Sequence, residues 1–229
     1  MFAAIADSYD LNNRLHSLGR DQAWRRAAVR MADVKPDDHV LDVACGTGDL
    51  TEAFAHAGPA AVVGVDFTPP MLDLARRKAQ RLNLPTGTTK PRYEQGDATR
   101  LRYDDASFDI VSIAFGIRNV DEPPKALAEF RRVLRPGGRL VILEFSEPRF
   151  EPLRSLSRLY TNHIMPRTAS WIARDRSGAY RYLPKSVDSF HRPEELTRLL
   201  HEAGFSDVAN RPLTFGICMA YLARVPERS

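Results

Sequence analysis

Short apolar runs alternate with amphipathic stretches along this chain, a pattern that predicts an α/β fold. Leu11, Leu15, Leu18, Trp24, Ala28 and Met31 recur at roughly helical spacing, so residues 8–33 are expected to form a leading helical segment (1–35) packed outside the sheet. Pro36, Asp37 and Asp38 end it before a first strand at 39–44 and a helix from about Asp49. A second apolar run, 60–67, ends at Asp66; Thr68 can then cap a helix whose first turn holds Pro69 and Pro70 and whose apolar face carries Met71, Leu72, Ala75 and Ala79. A third strand is expected at 92–95, a central fourth at 108–116, a helix at 122–134 and a fifth strand at 139–146. A helix from 193 to Gly204 and two closely linked strands, near 206–212 and 215–224, finish the chain. The whole, 1–229, reads as one domain: a Rossmann-like, mostly parallel seven-stranded sheet with a C-terminal antiparallel hairpin and helices on both faces.

Ligands of such sheets lie beyond the carboxyl ends of the strands. There the first strand opens into Cys45-Gly46-Thr47-Gly48, where a nucleotide cofactor can approach the backbone without meeting a Cβ. A dinucleotide fingerprint requires a third glycine, but that position is Thr51. An acid on the strand, Asp42, would repel a pyrophosphate and suits a cofactor bearing an ammonium and a sulfonium, which favours S-adenosylmethionine. Asp66, eighteen residues after Gly48, can accept from both ribose hydroxyls, and Asp97 at the tip of the third strand can hold an adenine amino group.

Composition adds boundaries. With 229 residues, 43% of them hydrophobic, the chain can bury a substantial core, and no apolar run is long enough to span a bilayer. The N-terminus lacks the basic and apolar regions of a secretory signal, and two cysteines supply neither a disulfide framework nor metal spacing, which fits the cytoplasm. No metal is assigned to His39, His56, His191 or His201. The net charge of +4 is concentrated between Arg149 and Lys185, where eight basic residues face two acids. Mixed there with Leu153, Leu156, Leu159, Ile164 and Trp171, those arginines suit a lid that touches the inner face of a membrane, or equally a solvated lid.

Longer motifs carry a family likeness. RVLRPGGRLVILEFS at 132–146, FGIRNV at 115–120, AYRYLPKSV at 179–187, and Tyr9-Asp10, Asn13, Ser17 and Trp24 together resemble the ubiquinone/menaquinone biosynthesis C-methyltransferases, within the class I S-adenosylmethionine-dependent methyltransferases. Two positions depart from the first signature: Asn12 stands where methionine is usual and Asp21 where histidine is usual. The resemblance implies cofactor contacts from Thr51, Asp66 and the Asp97-Ala98 pair, beside Gly46, Thr47 and Gly48; a serine common before the FGIRNV stretch is Ala114 here. It implies C-methylation of a polyprenyl quinol, demethylmenaquinol before a benzoquinol; peripheral membrane contact through 149–185 and a homodimer stay open. The rivals are a small-molecule O-methyltransferase and a nucleic-acid binder, the latter disfavoured because no Asn-Pro-Pro-Tyr motif follows the fourth strand.

Carbon methylation requires the quinol ring to become nucleophilic. Ionising a phenol of pKa about 10 at pH 7 costs about 4 kcal/mol, which the site must lower. Arg118 is the expected cation, Asn119 its hydrogen-bonding neighbour, His163 the candidate base, and Tyr180 with Tyr182 the flanking rings. Arg118 also admits a plainer reading as a loop arginine paired with a carboxylate, and Glu144 one as partner of an arginine in the insertion.

Overall fold

A computed structural model describes residues 6–148, 150–165, 167–169 and 191–227. The parallel strands come first: β1 (His39–Val43), β2 (Ala61–Asp66), β3 (Arg92–Gln95), β4 (Phe108–Ala114) and β5 (Leu134–Phe145). Two further strands, β6 (Ser206–Leu213) and β7 (Cys218–Arg224), complete a seven-stranded sheet in the order β3-β2-β1-β4-β5-β7-β6. β7 runs antiparallel to both β5 and β6, so the expected C-terminal hairpin is present and the rest is parallel.

The central strands are buried on both faces. Val40 and Ile110 pack to one side with Trp24, Ala28 and Phe54, which come from α2 (Arg20–Ala32) and α3 (Asp49–His56). Leu41 and Val111 pack to the other with Leu127, Phe130 and Leu196, from α5 (Pro123–Val133) and α7 (Pro193–Glu202). This two-sided cover explains why β1 and β4 read as continuous apolar runs rather than alternating ones. The α4 helix (Pro69–Gln80) lays Leu72, Ala75 and Ala79 on Tyr93 of β3.

Four details differ from the sequence expectations. The leading segment is two helices, α1 (Ala6–His16) and α2, broken where Leu18 and Gly19 take φ of 52° and 73°. Trp24 and Ala28 are buried as expected, but Leu11, Leu15 and Leu18 are 54, 49 and 88% exposed, so the periodicity of α1 marks an apolar face that does not reach the core. β5 starts five residues before the expected 139, because Leu134 pairs with Phe108 across an irregularity and carries the strand through Pro136-Gly137-Gly138. Thr68 does not cap α4 with its side chain; its backbone N–H instead donates to Asp66 Oδ1 at 2.8 Å.

Candidate cofactor and acceptor site

Strand order reverses between β1 and β4, and in open α/β sheets that switch point opens a crevice beyond the carboxyl ends. Both strands leave the sheet there by left-handed residues, Ala44 at φ 51° and Phe115 at φ 57°. Gly46 and Gly48 follow at 55° and 87°, conformations in which an L side chain is strained. A Cβ at Gly46 would meet nothing within 4 Å, so its backbone faces open space, whereas one at Gly48 would lie 2.4 Å from the Tyr93 hydroxyl. The first glycine leaves room for a ligand, and the second lets the loop sit on β3.

Asp66, half-buried at the end of β2, is held by backbone: Gly46 N–H donates to Oδ2 and Thr68 N–H to Oδ1, each at 2.8 Å. Asp97 is exposed, and the Thr99 N–H and hydroxyl both donate to its Oδ1 at 2.8 Å. Those bonds hold its carboxyl below the usual range, so it stays ionised. Two anionic strand tips beside an open glycine backbone fit a nucleoside with a cationic tail, as the sequence suggests for Gly46, Gly48, Asp66 and the Asp97-Ala98 pair.

Asp42 has a different role from the one expected of it. It is 1% exposed, and its two oxygens accept the Thr51 hydroxyl at 2.6 Å and the Ser112 hydroxyl at 2.7 Å. The carboxylate thereby ties β1, α3 and β4 together beneath the loop instead of facing a ligand. Burial raises its pKa to about 6, against the opposing pull of those two hydroxyls. Thr51 is fully buried, with its hydroxyl engaged on Asp42. Cys45 is an interior filler against Leu72, Ala75 and Tyr93, and burial pushes its thiol well above the usual value, so it is no nucleophile.

At the β4 and β5 tips, Phe115 and Phe145 stack with centroids 4.5 Å apart, and Trp24 meets the Phe145 ring edge-on at 6.1 Å. The guanidinium of Arg118 lies 5.3 Å over Phe145 and donates to Glu144 Oε1 and to the Phe115 carbonyl, both at 2.6 Å. The paired side chains are 4 and 2% exposed, so Arg118 is not a bare cation facing the crevice, and among the described residues Glu144 pairs with it. Asn119 donates its amide N–H to the Phe115 carbonyl at 3.4 Å, and its Oδ1 is buried without a hydrogen-bond partner among the described residues. His163 is exposed, and nothing among the described residues brings its ring to this cluster. Tyr180 and Tyr182 lie outside the described residues.

Comparison with known proteins closes the question of kinship. The family model described as the ubiE/COQ5 methyltransferase family matches residues 1–224. The chain belongs to that family. A demethylmenaquinone methyltransferase of Deinococcus radiodurans is 48% identical over 95% of this chain and 88% of its own length. One from Thermus thermophilus is 45% identical over 99% of this chain and 100% of its own. Among solved structures, SAM-dependent methyltransferases of Thermotoga maritima and Aquifex aeolicus share the fold at TM-scores of 0.65 and 0.63, with 20 and 19% identity, covering 98 and 94% of this chain and 99 and 97% of theirs. This member of the family is a methyltransferase, and its cofactor is S-adenosylmethionine.

Sequence reasoning missed a second polar cluster. Asp10 of α1 accepts the Thr47 hydroxyl and, at 3.0 Å, the Lys78 ammonium; Lys78 also pairs with Asp49 and lies 3.9 Å from Glu52. Burial works against the Lys78 charge, but Asp49 and Asp10 outweigh it and raise its pKa. Burial lifts Glu52 to about 6. Asp10 was visible in the Tyr9-Asp10 pair, yet nothing local in the sequence says that it reaches a residue thirty-seven positions later. Phe67, 73% exposed beside Asp66, is another apolar surface at the crevice that the strand pattern did not single out.

Proposed function

We propose that this methyltransferase methylates a ring carbon of a polyprenyl quinol, demethylmenaquinol, to give menaquinol. The supporting observation is the near full-length identity of 45–48% with relatives named demethylmenaquinone methyltransferase. The aromatic cluster of Phe115, Phe145 and Trp24, beside the glycine loop's strand, supplies an apolar lining that agrees with an aromatic acceptor.

S-adenosylmethionine, when bound, supplies an electrophilic methyl group. Gly46, Thr47 and Gly48 would hold its amino acid end, Asp66 the ribose and Asp97-Ala98 the adenine. Asn119 Oδ1, buried and unsatisfied among the described residues, can accept a hydrogen bond from a quinol hydroxyl and so orient the ring. The Arg118–Glu144 pair positions this amide: Arg118 holds the Phe115 carbonyl to which Asn119 is bonded, and sits over the Phe145 ring. Aromatic walls exclude water from the reacting carbon, which favours an in-line approach.

A polyprenyl tail belongs in a bilayer, and the surface offers a matching face. Leu11, Leu15 and Leu18 from the leading segment and Phe150, Leu156, Leu159 and Ile164 from the insertion are all exposed large apolar side chains. The insertion contributes α6 (Leu153–Leu159) and a π-helical turn, Tyr160–Ile164. No described helix is long and apolar enough to cross a membrane. We infer peripheral contact with the inner membrane face through 149–185, extended by α1. The test of the activity is direct: purified protein, S-adenosylmethionine and reduced demethylmenaquinone should yield a quinol one methyl heavier by mass spectrometry. An unmodified quinol, with methyl transfer to a phenolic oxygen of another acceptor instead, would reject the reading.

A further inference from the structure

α1 joins the glycine loop to the insertion. In its N-terminal half Asp10 holds Thr47, in the middle of the glycine loop, and Lys78 of α4 pairs with Asp10 as well. At the other end His16 Nδ1 lies 2.7 Å from the Tyr160 hydroxyl in the π-helical turn of the insertion, with the rings 6.1 Å apart at centroids. The two contacts are six residues apart on one helix, about 9 Å along its axis at about 1.5 Å per residue. Its leucine face lies outside the core, with Leu11 and Leu15 54 and 49% exposed, while Asn12 on the same helix is buried. Its contacts with the loop and with the insertion are both polar, so ordering either neighbour favours the same placement of α1.

We propose that Asp10 and His16 are positioning residues, and that α1 makes cofactor binding and acceptor binding mutually reinforcing by linking the glycine loop to the insertion. This rests on the methyl-transfer reading above. Asp10 acts through Thr47: with that hydroxyl held, the loop backbone keeps the shape the nucleoside needs. His16 acts through Tyr160. Burial holds the imidazole below its ordinary pKa, so it is neutral near pH 7 and can exchange a single hydrogen bond with the phenol. Its Nε2 is buried without a partner, so the Tyr160 contact is the ring's only hydrogen bond among the described residues.

The coupling is measurable by calorimetry on the full chain, titrating S-adenosylhomocysteine with and without a short-chain prenyl naphthoquinol kept reduced. The wild type should bind S-adenosylhomocysteine several-fold more tightly when the quinol is present, and by linkage the quinol more tightly when S-adenosylhomocysteine is present. His16→Phe and Tyr160→Phe should bind S-adenosylhomocysteine alone as the wild type does and lose the tightening. Asp10→Ala should weaken S-adenosylhomocysteine about tenfold and also lose the tightening by quinol, and Asp10→Asn, which retains an acceptor for Thr47, should recover part of both. Wild-type coupling that survives in both ring variants overturns the proposal, as does Asp10→Ala binding within about twofold of wild type while its circular dichroism is unchanged. A wild type that takes up no S-adenosylhomocysteine would instead remove the methyl-transfer reading, and the proposal with it.

Discussion

Arg118→Ala separates two roles for one arginine. If Arg118 were a bare cation serving the acceptor, its removal would lower turnover and leave the fold intact. The structure places it instead in a pair with Glu144 whose side chains are 4 and 2% exposed. Truncating the arginine leaves Glu144 buried, among the described residues, with backbone donors alone, Phe145 N–H at 2.8 Å and Arg118 N–H at 3.4 Å. An uncompensated buried charge of this kind costs about 3–5 kcal/mol, a large part of the roughly 5–15 kcal/mol that holds a domain folded. At about 2–4 °C per kcal/mol for a chain of this size, the melting temperature should fall by about 6–20 °C. Scanning fluorimetry with and without S-adenosylhomocysteine reads that shift, and Arg118→Met combined with Glu144→Leu should recover most of it, because the charge and its counter-charge leave together. A single Arg118→Ala variant that melts within about 2 °C of wild type would refute the buried-pair account.

Three further outcomes follow from named contacts. Gly48→Ala forces a Cβ into φ +87° and to 2.4 Å from the Tyr93 hydroxyl; S-adenosylhomocysteine affinity should fall at least tenfold, and Tyr93→Phe should not rescue it because ring carbons remain at 2.9–3.0 Å, both readable by calorimetry. Asp42 binds its proton more tightly folded, at about 6, than at its ordinary 3.8, so its contribution to stability is lost as pH rises from about 4 to about 6, on the order of 3 kcal/mol in total. Urea midpoints should therefore shift in favour of Asp42→Asn over that window; a constant wild-type-to-variant difference counts against the assignment. Flotation with anionic liposomes at low salt should carry the protein upward, less so after Leu11, Leu15 and Leu18 are replaced by serine, and a protein that stays at the bottom has no such membrane face.

Much of the architecture was legible because strand burial leaves a direct mark on composition. The runs at 39–44, 60–67 and 108–116 became β1, β2 and β4 almost unchanged, with acids at the tips where a nucleoside can be held. Long-range pairing left no such mark. Arg118 and Glu144 lie twenty-six residues apart on different elements, and each alone looks like a surface charge. Asp42 misled for a related reason: an acid in an apolar run announces a buried partner or a ligand, and its hydroxyl partners, Thr51 and, seventy residues on, Ser112, decide between them. In α1 the spacing of Leu11 and Leu15 was read correctly as helical, but periodicity reports a face without saying what covers it. Gly19, inside an otherwise helical pattern, was the available signal for the break before α2.

The placement of β7 between β5 and β6 has a consequence for synthesis. Strands β3, β2, β1, β4 and β5 can pair in turn as they emerge, but the far edge of β5 stays open until residues 218–224 arrive. Until then Leu140, Val141, Ile142 and Leu143, all buried in the finished sheet, lie along an unpaired backbone ladder able to recruit the same segment of another nascent chain. A ribosome stalled short of Cys218 would release a sticky template, so expression yield should depend on the last strand more steeply than the cofactor chemistry at the opposite half of the sheet would suggest.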